Sequence, residues 1–359
     1  MSTREPTAHL GAERGFAPAL RAHVAGASDW RPILAAPIVA AFTLVAALIV
    51  TAEAGFAFRD PDHVAALYVL EVGAGVALLV LLDVFLRARR FCGGRPSRTA
   101  MARVRRERWT PRRMAAVLTA IVAFYVTYLA YRNLKASVPL LRPGDLFDGR
   151  LMDVERAMFF GTEPWVLLHD LLGTGVSAHV LSTFYVAFIV FLPLSLGVAL
   201  VFSERLQAGL LYATALSINW VLGIASYFLL PSLGPIYHDP GAFAALPPTE
   251  VTRLQELLMD DRQGFLADPA GGTPQAIAAF ASLHVAMSFT ALLAAYKFGA
   301  GRRLRVVLWV WLVLTWVATV YLGWHYVLDD VAGMAIGAAA LLLARLLTGV
   351  DVARPQPSG

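Results

Sequence analysis

Three short segments of the chain contain residues whose types and spacing suit phosphate chemistry. The first contains Lys135 and Arg142, seven residues apart, with Pro143 directly after the arginine. A lysine and an arginine so spaced could clamp an oxyanion, the arginine through two parallel hydrogen bonds. The alternative is that both are interfacial side chains that extend their charges to water.

The other two segments each contain a histidine. Ser282 could donate its hydroxyl to an anion at a helix start, and His284 could transfer a proton or pack against a neighbour. His325 and Asp329 are four residues apart, so on a helical turn they share one face. The carboxylate could then hold the imidazole in one tautomer. Alternatively, Asp329 and Asp330 stabilise a helix N-terminus through its dipole.

Together these residues suit phosphoryl transfer without a metal. One imidazole would attack phosphorus, the other would protonate the leaving oxygen, and the cations would hold the remaining oxygens. The set is Lys135, Arg142, Ser282, His284, His325 and Asp329. A metal site built from two histidines and an aspartate is the competing interpretation. Because the two cations would repel a divalent ion, we expect neither a metal nor another cofactor.

The elements that must position these residues are membrane-spanning helices. The chain has 359 residues, of which 58% are hydrophobic and 15% charged, and its mean hydropathy is +0.63. Soluble domains carry about 25% charged residues, so a single soluble core and a disordered chain are both excluded. Runs of about 20 apolar residues predict an all-α, polytopic bundle of about eight spans, because helices satisfy their own backbone in lipid. The spans are 33–52, 64–86, 114–131, 179–202, 206–230, 276–298, 304–322 and 330–348.

Arginines predict the orientation of these spans. Eleven arginines and one acid lie within residues 87–113, and a second basic turn runs from Lys297 to Arg305. Basic flanks stay in the cytoplasm, so we expect a plasma-membrane protein with both termini inside and the three segments facing outward. The arginine-rich loop would attract anionic lipid headgroups, and we expect no nucleic-acid partner beside two spans.

The three segments resemble the signatures of the type 2 phosphatidic acid phosphatase (PAP2) superfamily, which are K-x6-R-P, P-S-G-H and S-R-x5-H-x3-D. Residues 135–143 match the first signature completely, and the second is matched only in its serine and histidine. The third is matched in its H-x3-D half, because Ala318 and Thr319 stand where its serine and arginine are expected. The S-L-H and W-H-Y-x-x-D forms are similar to the inositol phosphotransferase (inositolphosphorylceramide synthase-like) branch.

The resemblance implies a six-helix catalytic core and a role for each matched residue. His325 would be the nucleophile that forms a phosphohistidine, with Asp329 orienting it and His284 acting as general acid and then base. The phosphate would be bound by Lys135, Arg142 and Ser282. Arg150 or Arg156 could replace the missing third-signature arginine, and His238 could contact the substrate.

These observations predict a domain organisation and a function. We expect a cytoplasmic arm at 1–32, a transmembrane hairpin at 33–86, an arginine-rich loop at 87–113, a catalytic core at 114–348 and a tail at 349–359. The expected function is transfer of a phosphate-bearing group between a phospholipid and a lipid or glycan acceptor. The resemblance to the inositol phosphotransferase branch implies that this group is phosphoinositol. A phosphatase of lipid or polyprenyl phosphates is one alternative. A non-enzymatic lipid transporter is another, which would need ionisable groups near the bilayer midplane.

Overall fold

The computed structural model describes residues 30–60 and 64–351, and every regular element there is helical. This confirms the predicted all-α class; most of the arm 1–32 and of the tail 349–359 lies outside the described residues. The α-helices are α1 (Arg31–Glu53), α2 (Val64–Phe91), α3 (Arg98–Arg108), α4 (Pro111–Leu141), α5 (Asp148–Met158), α6 (Pro164–Leu172), α7 (Val176–Phe202), α8 (Leu206–Leu229), α9 (Pro235–His238), α10 (Glu250–Ala267), α11 (Leu283–Lys297), α12 (Arg302–Tyr321) and α13 (Val327–Thr348).

Six helices in the described ranges are long and apolar enough to cross a membrane: α1, α4, α7, α8, α12 and α13. The chain is therefore a polytopic helical bundle. Two predicted spans are not among the six. The second corresponds to α2, and the sixth corresponds to α11, whose 15 residues fall short of the about 20 that a bilayer requires.

The third predicted span, 114–131, is too short by ten residues at its C-terminal end. The helix α4 continues to Leu141, because residues 133–138 remain packed against the bundle. Lys135 consequently lies inside α4 rather than in a loop beyond it. Arg142 follows as the C-terminal capping residue of the same helix.

The sixth predicted span, 276–298, begins as a helix only at Leu283. The residues before it have their backbone groups satisfied by other parts of the chain. Ala279 donates its N–H to the Ser232 carbonyl at 2.9 Å, and the N–H of Ala281 donates to Ser226 Oγ at 2.9 Å. Irregular backbone is tolerated at membrane depth where protein groups satisfy it in this way.

The most buried helix of the bundle is α8, which packs against α1, α4, α7, α11 and α13. Helices α4 and α7 both pack against α8 but make almost no contact with each other, so a gap remains between them. That gap leads to Lys135, His284 and His325, one residue from each of the three predicted segments.

Small residues set the distance between α11 and α13. A methyl group on Gly333 would collide with the carbonyl oxygen of Ser282, and one on Gly337 with that of Ala286. Glycines four residues apart allow two helix backbones to approach closely. The segment with Ser282 and His284 is thereby held against the helix that carries Asp329.

A buried carboxylate joins the helices at the arginine-rich end. Asp83 of α2, which is 1% exposed, accepts hydrogen bonds from Arg87 at 2.7 Å and Arg108 at 2.8 Å. The indole of Trp109 donates to it at 3.0 Å. Since Arg108 also donates to the carbonyls of Val201 and Ser203 at the end of α7, this cluster ties α2 and α3 to α7.

At the other end of α1, Arg59 joins the loop between α1 and α2 to the loop after α10. Its guanidinium donates to the carbonyls of Pro269, Ala270 and Gly272. Its own backbone exchanges two hydrogen bonds with the amide of Asn133 in α4, at 3.0 and 2.8 Å. The N-terminal hairpin thus holds both α4 and the segment that follows α10.

Two buried acids of α5 support the start of α13. Glu155 is 0% exposed, and its Oε1 accepts the N–H of Leu328 at 3.0 Å. Asp148 accepts the N–H of Gly234 at 2.8 Å and the hydroxyl of Tyr326 at 3.3 Å. Since the first N–H groups of a helix lack partners within it, Glu155 serves as a capping acceptor from another helix.

We expect Asp83→Ala to lower the free energy of unfolding by about 3–5 kcal/mol, because it removes the buried carboxylate that the partly buried guanidinium groups of Arg87 and Arg108 share. The midpoint of thermal unfolding in detergent micelles measures this loss. Glu107→Gln, which breaks the exposed i,i+4 pair with Arg103, is the control and should cost less than about 0.5 kcal/mol. Equal effects of the two substitutions would contradict the stabilising role of Asp83.

The pKa of Glu155 is raised to about 7, chiefly by burial and additionally by the nearby Asp329, against backbone hydrogen bonds that lower it. The folded chain therefore holds this proton more tightly than the unfolded chain does. Stability contributed by this group falls as pH rises from about 4.5 to about 7.

Glu155→Gln keeps an acceptor oxygen but cannot ionise, so the variant should lose less stability than the wild type between about pH 5 and pH 8. Thermal midpoints at both pH values give this difference. Asp153→Asn, at an exposed position of the same helix, should retain the wild-type pH dependence. An unchanged pH dependence in Glu155→Gln would show that Glu155 does not titrate in this window.

Candidate active site

A cavity of about 380 Å³ occupies the gap between α4, α7 and α8. Helix α10 contributes Leu254 and Leu258 to its wall, and the irregular segment before α11 contributes Gln275 and Ile277. Nine further lining residues are aromatic: Phe124, Tyr125, Tyr128, Tyr131, Tyr185, Phe188, Trp220, Tyr227 and Trp324. Three of the sequence-predicted residues also line it: Lys135, His284 and His325.

His325 lies in the turn between α12 and α13, where Asp329 holds its ring. Its Nδ1 is 3.4 Å from Oδ2 of Asp329, and that same oxygen accepts the N–H of Tyr326 at 3.0 Å. Asp329 is fully buried. The predicted i,i+4 relation between the two side chains is therefore present, and the carboxylate is fixed by the helix start as well as by the histidine.

The imidazole of His325 is uncharged at neutral pH. Its pKa is lowered to about 3, chiefly by burial and additionally by the charge of Lys135, against a hydrogen bond with the backbone of Ala279 that raises it. A neutral ring has a lone pair available for attack on an electrophile.

His284, the second residue of α11, faces the same cavity. Its ring stacks on Tyr185 with the centroids 4.5 Å apart, and Phe188 lies 4.4 Å away. Tyr185 in turn stacks parallel to Trp324 at 5.2 Å. The centroids of the two histidine rings are 6.1 Å apart, so one reacting group between them could contact both.

Two cations of α4 line the cavity beside the histidines, Lys135 and Arg132. The sequence analysis did not identify Arg132. Its position three residues before Lys135, on the same face of one helix, was the signal that could have revealed it. The electrostatic influence of Lys135 reaches both His284 and His325.

Arg142 does not line this cavity. Its guanidinium pairs with Asp145, with Nε at 2.9 Å from Oδ2, and also donates to the carbonyl of Phe228. The side chain thus joins the end of α4 to the end of α8. It would have to leave Asp145 to reach an anion bound at Lys135.

The three accessory candidates also lie outside the cavity lining. Arg150 packs over the ring of Phe147, 5.0 Å from its centroid. Arg156 donates from Nε to Glu163 at 2.7 Å. His238 lies at the end of α9, beside Gly149.

Ser282 is fully buried and caps α11, its hydroxyl accepting the N–H of Val285 at 3.5 Å. Its side chain also hydrogen-bonds the carboxylate of Asp330. Thr319, at the position of the missing arginine, is fully buried and lies 3.0 Å from Oδ2 of the same carboxylate. These three side chains link the two histidine-bearing segments behind the cavity.

The cavity therefore combines a neutral imidazole backed by a carboxylate, a second imidazole and two cations. Such groups can attack phosphorus, move a proton at a leaving oxygen and neutralise phosphate charge. Glu155 was also not predicted from the sequence. It does not line the cavity but accepts a hydrogen bond from the backbone N–H of Leu328 at the start of α13, the helix that carries Asp329.

Comparison with known proteins agrees with this chemistry. A family model described as the PAP2 superfamily matches residues 149–343, which is more than half of the 359 residues. No curated protein and no solved structure gives a match to the chain. The matched range contains both histidines and Asp329 and begins after Lys135. Its members are generally phosphatases and phosphotransferases, and the chain belongs to this superfamily.

Proposed function

We propose that the protein is a phosphotransferase that acts on a membrane lipid through a phosphohistidine at His325. The observation that carries the proposal is that His325, His284 and Lys135 line one cavity. Asp329 contacts the ring of His325 from behind this cavity. Each of these groups has one role in a two-step displacement at phosphorus.

In the first step, the imidazole nitrogen of His325 forms a bond to phosphorus while the bond from phosphorus to the leaving oxygen breaks. His284, in its imidazolium form, gives a proton to that oxygen and becomes neutral, and Asp329 stabilises the positive charge that develops on His325. In the second step, His284 takes a proton from an incoming hydroxyl. The oxygen of that hydroxyl bonds to phosphorus, and the nitrogen–phosphorus bond breaks.

The length of α4 supports a lipid substrate. A helix of 31 residues is about 46 Å long, whereas the hydrocarbon core of a bilayer is about 30 Å thick. With Arg112 and Arg113 at one interface, Lys135 lies about 34 Å further along the axis, at the level of the opposite headgroups. Phospholipid phosphates lie at this level.

The shape of the cavity also favours a lipid. From Lys135 the cavity continues down α4 to Phe124, and along α7 to Leu192 and Pro193. This apolar extension runs between two helices that hardly touch. An apolar chain could therefore enter sideways from the bilayer while its phosphate stays beside the histidines.

Transfer to an alcohol is preferred to hydrolysis. Residues of α10 and of the segment before α11 form part of the wall, and an aromatic, partly closed site disfavours water as the acceptor. A phosphoinositol group is the finer proposal, which rests on the S-L-H and W-H-Y-x-x-D segments. A lipid or polyprenyl phosphatase is the second candidate, because water could resolve the same phosphohistidine.

We further propose that the site faces outward from the plasma membrane. The arginine-rich residues 87–113 lie at the start of α4, whereas Lys135 lies near its other end. Because basic flanks remain in the cytoplasm, the catalytic end would be the external one.

Substitution of His325 or His284 by alanine should lower lipid phosphate turnover by about 100-fold or more, as expected when a nucleophile or a general acid–base is lost. The assay is release or transfer of radiolabelled phosphate from phospholipids and polyprenyl phosphates by the purified full-length chain. His179→Ala, at an exposed position of α7, should retain wild-type turnover.

A labelled phosphoenzyme should form in the wild type and be absent in His325→Ala after rapid denaturation at alkaline pH. Full turnover in both histidine variants would disprove the enzymatic proposal and favour a transporter. Loss of activity in EDTA, restored by a divalent cation, would instead favour the metal alternative.

A further inference from the structure

Two tyrosine hydroxyl groups meet in the wall of the cavity, about one helical turn from Lys135. Tyr131 of α4 and Tyr227 of α8 both line the cavity of about 380 Å³, and their hydroxyl oxygens are 3.4 Å apart. Both residues are more than nine-tenths buried, with exposed fractions of 7% and 3%. This pair is not part of the histidine and lysine set that the proposed reaction uses.

The contact between the two hydroxyl groups leaves one O–H donor unused. Each tyrosine hydroxyl has a single proton, so one proton occupies the shared hydrogen bond and the other remains available. Within residues 30–60 and 64–351, neither hydroxyl makes another hydrogen bond. Their separation is also longer than the about 2.5–3.0 Å of ordinary O–H···O hydrogen bonds. Because a buried donor without an acceptor costs free energy, a ligand oxygen that accepts the unused proton would be bound favourably.

Aromatic packing holds the pair in place. The ring of Tyr131 packs against Trp220 with the centroids 4.4 Å apart, and against Tyr128 at 6.2 Å. Its centroid is also 6.2 Å from that of Tyr227. Since Trp220 and Tyr227 lie two turns apart on α8, this helix fixes the Tyr131 ring at two points. The donor is therefore positioned before any ligand binds.

The depth of the pair relates it to the lipid rather than to the phosphate. Tyr131 lies four residues before Lys135, on the same face of α4 and about 6 Å closer to the hydrocarbon. Tyr227 is near enough to Asp329 to interact with it electrostatically, so the pair lies beside the reacting groups. With the phosphate at Lys135, the hydroxyls would meet the part of the lipid a few bonds beyond the phosphate.

We infer that Tyr131 and Tyr227 bind a carbonyl oxygen of the lipid backbone, next to the phosphate. The substrate would then be a phospholipid with an ester or amide at that place, because a polyprenyl phosphate has only hydrocarbon there. This inference rests on the proposed function, since it narrows the substrate class of the same site. A site that donates a hydrogen bond to a substrate discriminates against an analogue without the acceptor, because its own donor is then left unpaired.

The test compares two substrates that differ only in their carbonyl oxygens, diacylglycerol phosphate and dialkylglycerol phosphate with equal chain lengths. The kcat/KM for release or transfer of phosphate is measured with the purified full-length chain in detergent. We expect the wild type to prefer the diacyl substrate by at least about 10-fold, as for a buried donor left unpaired. A polyprenyl phosphate should resemble the dialkyl substrate. Ceramide phosphate, whose carbonyl belongs to an amide, shows which kind of carbonyl binds better.

The double variant Tyr131→Phe with Tyr227→Phe removes both hydroxyl groups and keeps both rings. It should lower kcat/KM for the diacyl substrate at least about 10-fold more than for the dialkyl substrate, so that the preference is lost. The matched control is Tyr212→Phe, which removes a buried hydroxyl of α8 that pairs with Ser195 at 2.9 Å outside the cavity lining. It should keep the wild-type preference. Because each preference is a ratio within one preparation, partial unfolding of a variant does not change it.

Equal kcat/KM of the wild type for the diacyl and dialkyl substrates would overturn the inference. An equal loss on both substrates in the double variant would also overturn it, and would assign the hydroxyl pair to the phosphate or to packing between α4 and α8. The proposed function would survive either result as long as His325→Ala abolishes turnover. If the wild type turns over none of the four lipids, the proposed function fails, and this inference fails with it.

Discussion

One carboxylate oxygen connects the fold to the chemistry of this protein. Oδ2 of Asp329 accepts the N–H of Tyr326, the N-terminal capping residue of α13, and also faces Nδ1 of His325. Because Asp329 has no exposure to solvent, its charge depends entirely on these partners and on its surroundings. Any movement of the start of α13 therefore moves the histidine as well, and the bundle must hold that helix end rigidly.

Several independent contacts meet this requirement. Glu155 and Asp148 of α5 bind the turn before α13 from one side, while Gly333 lets α11 approach from the other. The backbone N–H of Ser282 donates to the carbonyl of Asp329 at 2.9 Å. The two histidine-bearing segments thus share hydrogen bonds behind the cavity, and their relative position is set by buried polar pairs rather than by apolar packing alone.

The sequence predicted the helices well because lipid demands long apolar runs and intrahelical hydrogen bonds. It is less informative where side-chain contacts decide the outcome. Arg142 is predicted to bind phosphate from its spacing to Lys135, and in the structure it pairs with Asp145, three residues further on. Helix α11 starts late because Ser226 and Ser232 satisfy the preceding backbone. Arg132 was not predicted as a site residue, because the predicted third span ended at Tyr131, one residue before it.

The contact of Arg59 with the loop after α10 bears on how this chain can be divided. The family match begins at residue 149, yet Arg59 holds residues 269–272, which lead into the irregular segment before α11. Helix α4 supplies Lys135 from the same unmatched part. The matched range therefore does not contain the whole wall of the cavity. A chimera that joins residues 1–148 of one relative to the matched range of another would combine a cavity wall from one protein with histidines from the other. Helices α1 to α4 should therefore be exchanged together with the matched range.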